Sequence, residues 1–123
     1  EKCHKGVLTR CIWIYDDLKE HGVLRELLIG EDARLAGYSL IITGHSLGAG
    51  CAAMLSCMIR QQFPDLQCFA FCPPGGLVSE GLSEYCKPFV TSFVNGADMI
   101  PRMSLSNCEM LRDEALETLA RIR

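Results

Sequence analysis

A serine flanked by two glycines is the feature of this sequence best suited to chemistry. It lies in Gly44-His45-Ser46-Leu47-Gly48, a G-x-S-x-G pattern preceded by an apolar run and followed by a helix-like run. In that context the pattern predicts a nucleophile elbow, a tight strand-to-helix turn that exposes the serine hydroxyl. Gly44 and Gly48 are expected because side chains there would collide with the neighbouring strand or helix. We therefore predict Ser46 as a nucleophile at a helix N-terminus, where negative charge is favoured.

A serine nucleophile needs a base, an acid that orients the base, and donors for the developing oxyanion. Asp98 is the predicted acid, since it follows the third predicted strand and comes after Ser46 in the order that α/β-hydrolases use. Catalytic groups collect at the carboxyl ends of parallel strands, so the two side chains should share one edge of a sheet. The alternative is that Asp98 only forms a turn. The backbone N–H of Leu47 is the predicted first oxyanion donor, and the second is expected from a loop before the first helix.

The base is the missing member of this triad, because all three histidines precede Asp98. His45 adjoins the serine and is expected to pack or hydrogen-bond locally. His21 lies where the first helix should stop and is expected to cap carbonyl groups. His4 lies ahead of the first helix. We therefore expect the catalytic histidine beyond Arg123.

The elements that must position these groups alternate between helices and strands. The apolar spacing predicts helices over 6–21, 23–29, 47–62, 79–86 and 106–121, and strands over 38–43, 66–71 and 89–94. The last helix is predicted to begin with a capping box of Ser106 and Glu109. This order predicts an α/β fold with a parallel sheet core of about three strands and crossover helices. Because such a sheet has bare edges and the chain starts at Glu1 rather than Met, we expect a part of a longer protein.

Composition limits the function classes. The chain has 123 residues, 49% of them hydrophobic and 22% charged, enough for one domain with a core. A net charge of −3 without a long basic run argues against nucleic acid as a partner. Residues 37–59 carry no charge, but their four glycines and change of period indicate a strand, a turn and a buried helix rather than a membrane span. The eight cysteines form no zinc spacing, and reduced, buried thiols are favoured over a disulfide framework.

Four segments together carry a resemblance to a known family. They are Cys3-His4-Lys5-Gly6, the elbow continued through Ala49 and Gly50, Phe71-Cys72-Pro73-Pro74-Gly75, and Asp98-Met99-Ile100-Pro101-Arg102. In this order they resemble the class 3 (fungal-type) lipase domain, and most closely the sn-1-specific diacylglycerol lipases. The resemblance implies that residues 1–123 form a single, partial α/β-hydrolase domain. One departure is Gly75, where an arginine would be more usual after the two prolines.

The resemblance implies a serine hydrolase that removes the sn-1 acyl chain of diacylglycerol, giving 2-monoacylglycerol and a fatty acid. By match to the motifs, Ser46 is the nucleophile and Asp98 is the triad acid. Full-length members of the family are anchored by N-terminal membrane spans with the catalytic domain on the cytoplasmic side. A membrane surface is thus an expected partner through parts outside this chain. Calcium enters as a cofactor only through the resemblance, since this sequence shows no calcium loop.

Two other hypotheses remain open at the level of sequence. A truncated, inactive lipase-like fragment would explain the missing histidine. A dinucleotide-binding module would use Gly48-Ala49-Gly50 as part of a G-x-G-x-x-[GA] pattern, although these glycines come late and Cys72 stands where a ribose-binding acid is expected. Met54 and Met58 on the helix after Ser46 are interpreted as core residues, with an acyl-binding wall as the alternative.

Overall fold

Three parallel strands and the helices around them make up the part of the chain that the computed structural model describes, residues 2–122. In chain order the elements are α1 (Lys5–Glu20), α2 (Val23–Leu28), β1 (Ile41–His45), α3 (Leu47–Ile59), β2 (Gln67–Phe71), α4 (Glu80–Cys86), β3 (Val90–Phe93), a 3-10 helix (Ile100–Arg102) and α5 (Leu105–Ile122). Every predicted strand and helix is present, which confirms the predicted α/β class with its parallel sheet.

The sheet has the strand order β1-β2-β3, and both pairs are parallel. The register sets His45, Phe71 and Phe93 side by side at the carboxyl edge. The residues that follow these three strands therefore leave the sheet at the same edge. This edge, called the carboxyl edge below, positions the chemistry.

One face of the sheet is covered by α3. Alternate strand residues such as Cys68 and Ala70 are fully buried against Ala49 and Ala52 of this helix. Further along α3, Leu55 and Ile59 pack with other apolar side chains from the ends of β2 and β3. Burial of these small apolar groups is the main stabilising contribution to such a core. The predicted buried helix is thus confirmed.

The second layer is α1, which lies against the far side of α3. Val7 and Cys11 pack on Met54, and all three are buried. Met58 also packs against this cluster, so both methionines contact the core, as the core interpretation predicts. All eight cysteines are free thiols, and Cys11 and Cys68 are fully buried as small apolar residues.

Several predicted boundaries are wrong by two or three residues. The first strand begins at Ile41 and includes Gly44 and His45, because pairing with β2 extends to the turn itself. The capping box at Ser106 is also wrong. The Ser104 hydroxyl accepts the Asn107 N–H at 3.1 Å instead, so α5 begins two residues earlier than that cap requires.

The opposite face of the sheet and α5 are open. Ile41, Phe71 and Phe93 are exposed on that face, and the rings of the two phenylalanines stack with their centroids 4.9 Å apart. No described residue of α5 is buried. Among the described residues, the buried core therefore lies entirely on the face of the sheet that α3 covers.

Candidate active site

The turn between β1 and α3 consists of Ser46 alone. Its backbone has φ 53° and ψ −124°, a left-handed conformation that non-glycine residues rarely adopt. Its N–H donates to the Phe71 carbonyl at 2.9 Å, and its own carbonyl accepts the N–H groups of Ala49 at 2.9 Å and Gly50 at 3.2 Å. Hydrogen bonds from its N–H and to its carbonyl therefore fix a strained residue at the turn from β1 to α3, which is the geometry that the elbow pattern predicts.

Close approach of backbone to backbone makes this bend possible. A Cβ atom added to Gly44 would lie 2.2 Å from the Gly48 carbonyl oxygen and 2.8 Å from the Ala49 nitrogen. Gly44 is therefore required by sterics. The same expectation for Gly48 is wrong, since a Cβ there would meet nothing within 4 Å. Gly48 instead lies in the first turn of α3 with open space on its side-chain side.

Ser46 opens on a cavity of about 550 Å³ at the carboxyl edge. The other lining residues come from the N-terminal segment, the loop after β2 and the chain around the start of α5: His4, Pro74, Gly75, Gly76, Leu77, Ile100, Met103, Ser104, Leu105 and Cys108. Most of these side chains are apolar. A cavity of this size and mostly apolar lining, with the Ser46 hydroxyl at its wall, suits an extended apolar ligand that carries a polar reacting group.

Leu47, the predicted first oxyanion donor, is the first residue of α3, so its backbone N–H has no acceptor within the helix. It directly follows the serine, and the positive end of the helix dipole adds to its effect. The Leu47 side chain itself is 59% exposed and points away from the core.

Asp98 lies in the loop between β3 and the 3-10 helix and is partly buried. Its Oδ1 accepts the Ile100 N–H at 3.0 Å, while the Arg102 side chain donates to the carbonyls of Asp98 and Gly96. A hydrogen bond from the Cys72 thiol, followed by the Ile100 N–H and the Arg102 charge, lowers the pKa of Asp98 below its ordinary value. The carboxylate is thus ionised at neutral pH, as an acid that orients a histidine must be.

Ser46 and Asp98 lie at the same edge of the sheet, as predicted from the strand order. Ser46 follows His45, and Asp98 follows Phe93 by five residues, while His45 and Phe93 flank Phe71 in the register. His45 is also near enough for its charge to lower the pKa of Asp98. Asp98 does not line the cavity itself, but it holds the N–H of Ile100, which does.

The three histidines occupy different surroundings. His21 caps the end of α1, with its Nδ1 2.9 Å from the Asp17 carbonyl, as expected. His4 is the N-cap of α1, where its Nδ1 accepts the Val7 N–H at 3.4 Å. His4 also lines the cavity with Ser46. His45, the last residue of β1, is exposed and lies near Asp98.

Two features of the site were missed at the level of sequence. Cys72, the residue after β2, also has a left-handed backbone, with φ 50°, and its thiol contacts Asp98. The N-terminal segment reaches the cavity because Cys3 forms an isolated antiparallel bridge with Val78, and the His4 N–H donates to the Leu77 carbonyl at 2.7 Å. No local sequence pattern marks a bridge between residues 75 positions apart, such as Cys3 and Val78. The only signal in the sequence was that the N-terminal segment is one of the family motifs.

Neither a metal site nor a phosphate loop is formed by the described residues. Within residues 2–122, no three His, Cys, Asp or Glu side chains come together to hold a metal ion. Gly48 and Gly50 lie inside α3, and a Cβ on Gly50 would meet Leu77, so these glycines do not form a loop ahead of a helix. Over the same residues, no helix has the length and apolarity to cross a membrane.

The chain is similar to known proteins in its sequence family and in the sequences of individual relatives. The family model described as Lipase (class 3) matches residues 1–108. Human diacylglycerol lipase-alpha is 45% identical over 119 residues, which is 96% of this chain and 11% of that protein. Mouse diacylglycerol lipase-beta is 40% identical over 117 residues, 95% of this chain and 17% of that protein. The chain thus spans well under a fifth of the length of these relatives.

Solved structures show the same fold. A mutant of MDLA from Penicillium cyclopium matches with a TM-score of 0.68 at 22% identity, over 84% of this chain and 37% of that one. A lipase from Rhizopus microsporus var. chinensis matches with a TM-score of 0.66 at 19% identity, over 86% of this chain and 37% of that one. The three-stranded sheet and its helices therefore correspond to part of an α/β-hydrolase fold.

Proposed function

Because this chain belongs to the class 3 lipase family, we propose that it carries the nucleophile of a serine lipase that acts on diacylglycerol. The proposed reaction is hydrolysis of the sn-1 acyl ester to 2-monoacylglycerol and a fatty acid. The observation that carries this proposal is the strained Ser46 turn, which opens on an apolar cavity of about 550 Å³. The similarity to two diacylglycerol lipases supports the choice of substrate.

In the proposed acylation step, the Ser46 hydroxyl oxygen attacks the carbonyl carbon of the ester. The hydroxyl proton passes to a base, and the carbonyl electrons move to the oxygen, which becomes an oxyanion. The Leu47 N–H and the N-terminus of α3 stabilise this negative charge. Collapse of the tetrahedral intermediate expels the glycerol oxygen, which takes the proton from the base, and leaves an acyl-Ser46 ester. Water then releases the fatty acid by the same route.

Asp98 would orient the base and stabilise its positive charge during both steps. Its ionised carboxylate and the fixed Ile100 N–H support this role. The base is proposed to be a histidine outside residues 2–122, because α/β-hydrolases use the order Ser, Asp, His and all three histidines of this chain precede Asp98. The alternative is a catalytically inactive lipase-like fragment that lacks the triad histidine.

The apolar lining indicates how a lipid would bind. The acyl chain is proposed to lie along Leu77, Ile100 and Met103, with its ester at Ser46. Leu105, which lines the cavity, is 78% exposed, and Met99, which precedes the lining residue Ile100, is 66% exposed, so both are accessible to lipid. These exposed apolar groups support the proposal of contact with a membrane surface, and the cytoplasmic side is proposed from the family resemblance alone.

The test is hydrolysis of diacylglycerol with different acyl chains at the sn-1 and sn-2 positions, presented in vesicles to the full-length protein. We expect release of the sn-1 chain, and a loss of at least about 1,000-fold in kcat/KM for Ser46→Ala. The control is Ser39→Ala, an exposed serine before β1, which should keep normal activity. Release from sn-2 would contradict the positional proposal, and normal turnover by Ser46→Ala would contradict the nucleophile. A folded full-length protein without turnover would favour the inactive alternative.

A further inference from the structure

Two cysteines on neighbouring helices contact each other through their sulfur atoms. Cys57 lies in the last turns of α3 and Cys86 is the last residue of α4, 29 residues later. Their Sγ atoms are 3.0 Å apart, and both residues are only partly buried. The proposed lipase reaction uses neither residue. A thiol pair already in contact, with access to solvent, is arranged for covalent linkage rather than for packing alone.

The two thiols share a hydrogen bond in which either sulfur can be the donor. This contact lowers the pKa of Cys86 and raises that of Cys57, with burial adding to the second effect. Since the thiolate is the nucleophile and Cys86 lines a cavity that Cys57 does not, Cys86 should react first with an electrophilic oxidant. Cys57 is then in position to attack the oxidised sulfur.

The other thiols differ in their surroundings. Cys11 also lies near Cys51, and its Sγ donates to the Cys51 carbonyl oxygen at 3.4 Å. Burial first, and then the Cys51 side chain, raise the pKa of Cys11 to about 12. Cys68 is fully buried in the core, and burial raises its pKa too. Cys108 is exposed and lines the cavity at the carboxyl edge.

A small oxidant has a route to Cys86. A second cavity of about 150 Å³ lies between α3 and the segment before α4, and Cys86 lines it together with Gly50, Met54, Leu77 and Ser83. Leu77 also lines the larger cavity that contains Ser46. The segment that joins the two cavities, residues 73–79, leads directly into α4.

We propose that Cys57 and Cys86 form a reversible disulfide that links α4 covalently to α3 when the protein is exposed to a peroxide. The Cys86 thiolate attacks one oxygen of hydrogen peroxide, the O–O bond breaks, and Cys86 sulfenic acid and hydroxide form, the latter becoming water on protonation. The Cys57 sulfur then attacks the Cys86 sulfur, the S–O bond breaks, and a second water leaves with the Cys57 proton. A dithiol reductant reverses the linkage by thiol–disulfide exchange.

The linkage would restrain the segment next to the active-site cavity. With α4 fixed at its last residue, opening of residues 73–86 away from α3 becomes less frequent. Backbone amides in this segment exchange with solvent through such local opening. Oxidation should therefore slow hydrogen exchange in α4 several-fold and leave exchange in α5 unchanged.

The test treats the full-length protein with hydrogen peroxide, blocks remaining thiols, and maps the peptides without reduction. The expected product is one cross-linked pair containing Cys57 and Cys86, lost in Cys57→Ser and Cys86→Ser and kept in Cys108→Ser. A reductant should restore both thiols together with the original exchange rate of α4. A second pair of variants, Cys57→Ala and Cys86→Ala, repeats the mapping where a serine disturbs folding.

Three results would overturn the proposal. One is recovery of both thiols, still free, after peroxide treatment that oxidises Cys108. Another is oxidation of Cys86 to sulfinic acid without a cross-link, and the third is a cross-link between other cysteines. None of these results depends on lipase activity, so failure here is separate from failure of the proposed function.

Discussion

The turns after β1 and β2 each contain a non-glycine residue with a positive φ, but these two residues have different surroundings. Ser46 and Cys72 have φ values of 53° and 50°, whereas every other positive φ within residues 2–122 belongs to a glycine. A non-glycine residue in such a conformation costs about 1–3 kcal/mol. Ser46 lines the large cavity, while Cys72 contacts Asp98.

The location of this strain is informative. Both residues directly follow a strand at the carboxyl edge, whereas the later positions Gly76 and Gly96 in the loops at this edge, and Gly37 ahead of β1, have positive φ as glycines. A turn that only reverses the chain can use glycine at little cost. Two side chains retained in spite of strain, each directly after a strand, are what a chemical role of this edge predicts.

The largest expected effect concerns Asp98, whose carboxylate contacts Cys72 in the turn after β2. It tests whether this carboxylate supports catalysis by Ser46 in the turn after β1. Asp98→Asn keeps an oxygen that can accept the Ile100 N–H but removes the charge. We expect kcat of the full-length protein to fall about 10⁴-fold, because a neutral amide neither orients the base correctly nor stabilises its charge. Steady-state assays with a soluble ester measure this. Unchanged turnover would mean that Asp98 only shapes its own loop.

A smaller effect concerns the close approach beneath the first turn. Gly44→Ala would place a methyl group 2.2 Å from the Gly48 carbonyl oxygen, and backbone cannot yield as a side chain can. We expect the free energy of unfolding to fall by about 3 kcal/mol, measured by urea denaturation. Gly48→Ala is the matched control, since its side chain has open space in a helix. It should stabilise by up to about 1 kcal/mol. Equal effects of the two changes would contradict this account of the elbow.

The strain at the first turn can be measured directly. Ser46→Gly and Ser46→Ala both remove the hydroxyl, but only glycine adopts φ 53° without a steric penalty. We expect the glycine variant to be more stable than the alanine variant by about 1 kcal/mol, with both inactive. The same comparison at the exposed Ser39 should favour alanine, as glycine gains freedom in the unfolded chain. A more stable Ser46→Ala would show that the turn is not strained.

The smallest expected effect concerns the second turn. The Cys72 thiol is the largest cause of the lowered pKa of Asp98, so Cys72→Ala should raise that pKa toward its ordinary value. Carbon-detected NMR titration of the Asp98 carboxyl group would follow the change. Because the pKa is lowered in the folded state, this group favours folding above its ordinary pKa, and the contribution is lost as pH falls through the lowered value. A titration unchanged by Cys72→Ala would contradict the contact.

Local sequence was enough to predict the elbow but not its surroundings. An apolar run followed by Gly44 and Ser46 leaves the chain few alternatives, and the strand, the turn and α3 all formed as expected. The ends of elements were less predictable. Tyr38 has the residue type of a strand yet is 72% exposed, since pairing with β2 starts only at Ile41. Ser104 and Ser106 are equally good caps by type, and the sequence does not distinguish them.

Contacts between distant segments were beyond sequence reasoning. The contact between Cys72 and Asp98, and the one between Cys57 and Cys86, depend on how loops and helices pack after the sheet has formed. Neither pair has a spacing that marks it, because side chains 26 and 29 residues apart meet only through the tertiary fold. The bridge that brings His4 to the cavity has the same origin.

Labelling of the full-length protein with a fluorophosphonate probe tests the central claim most directly. The account predicts one labelled residue, mapped by mass spectrometry to Ser46, and loss of labelling in Ser46→Ala with Ser39→Ala unaffected. Labelling of another serine in this domain, or none in a folded protein that hydrolyses diacylglycerol, would contradict it.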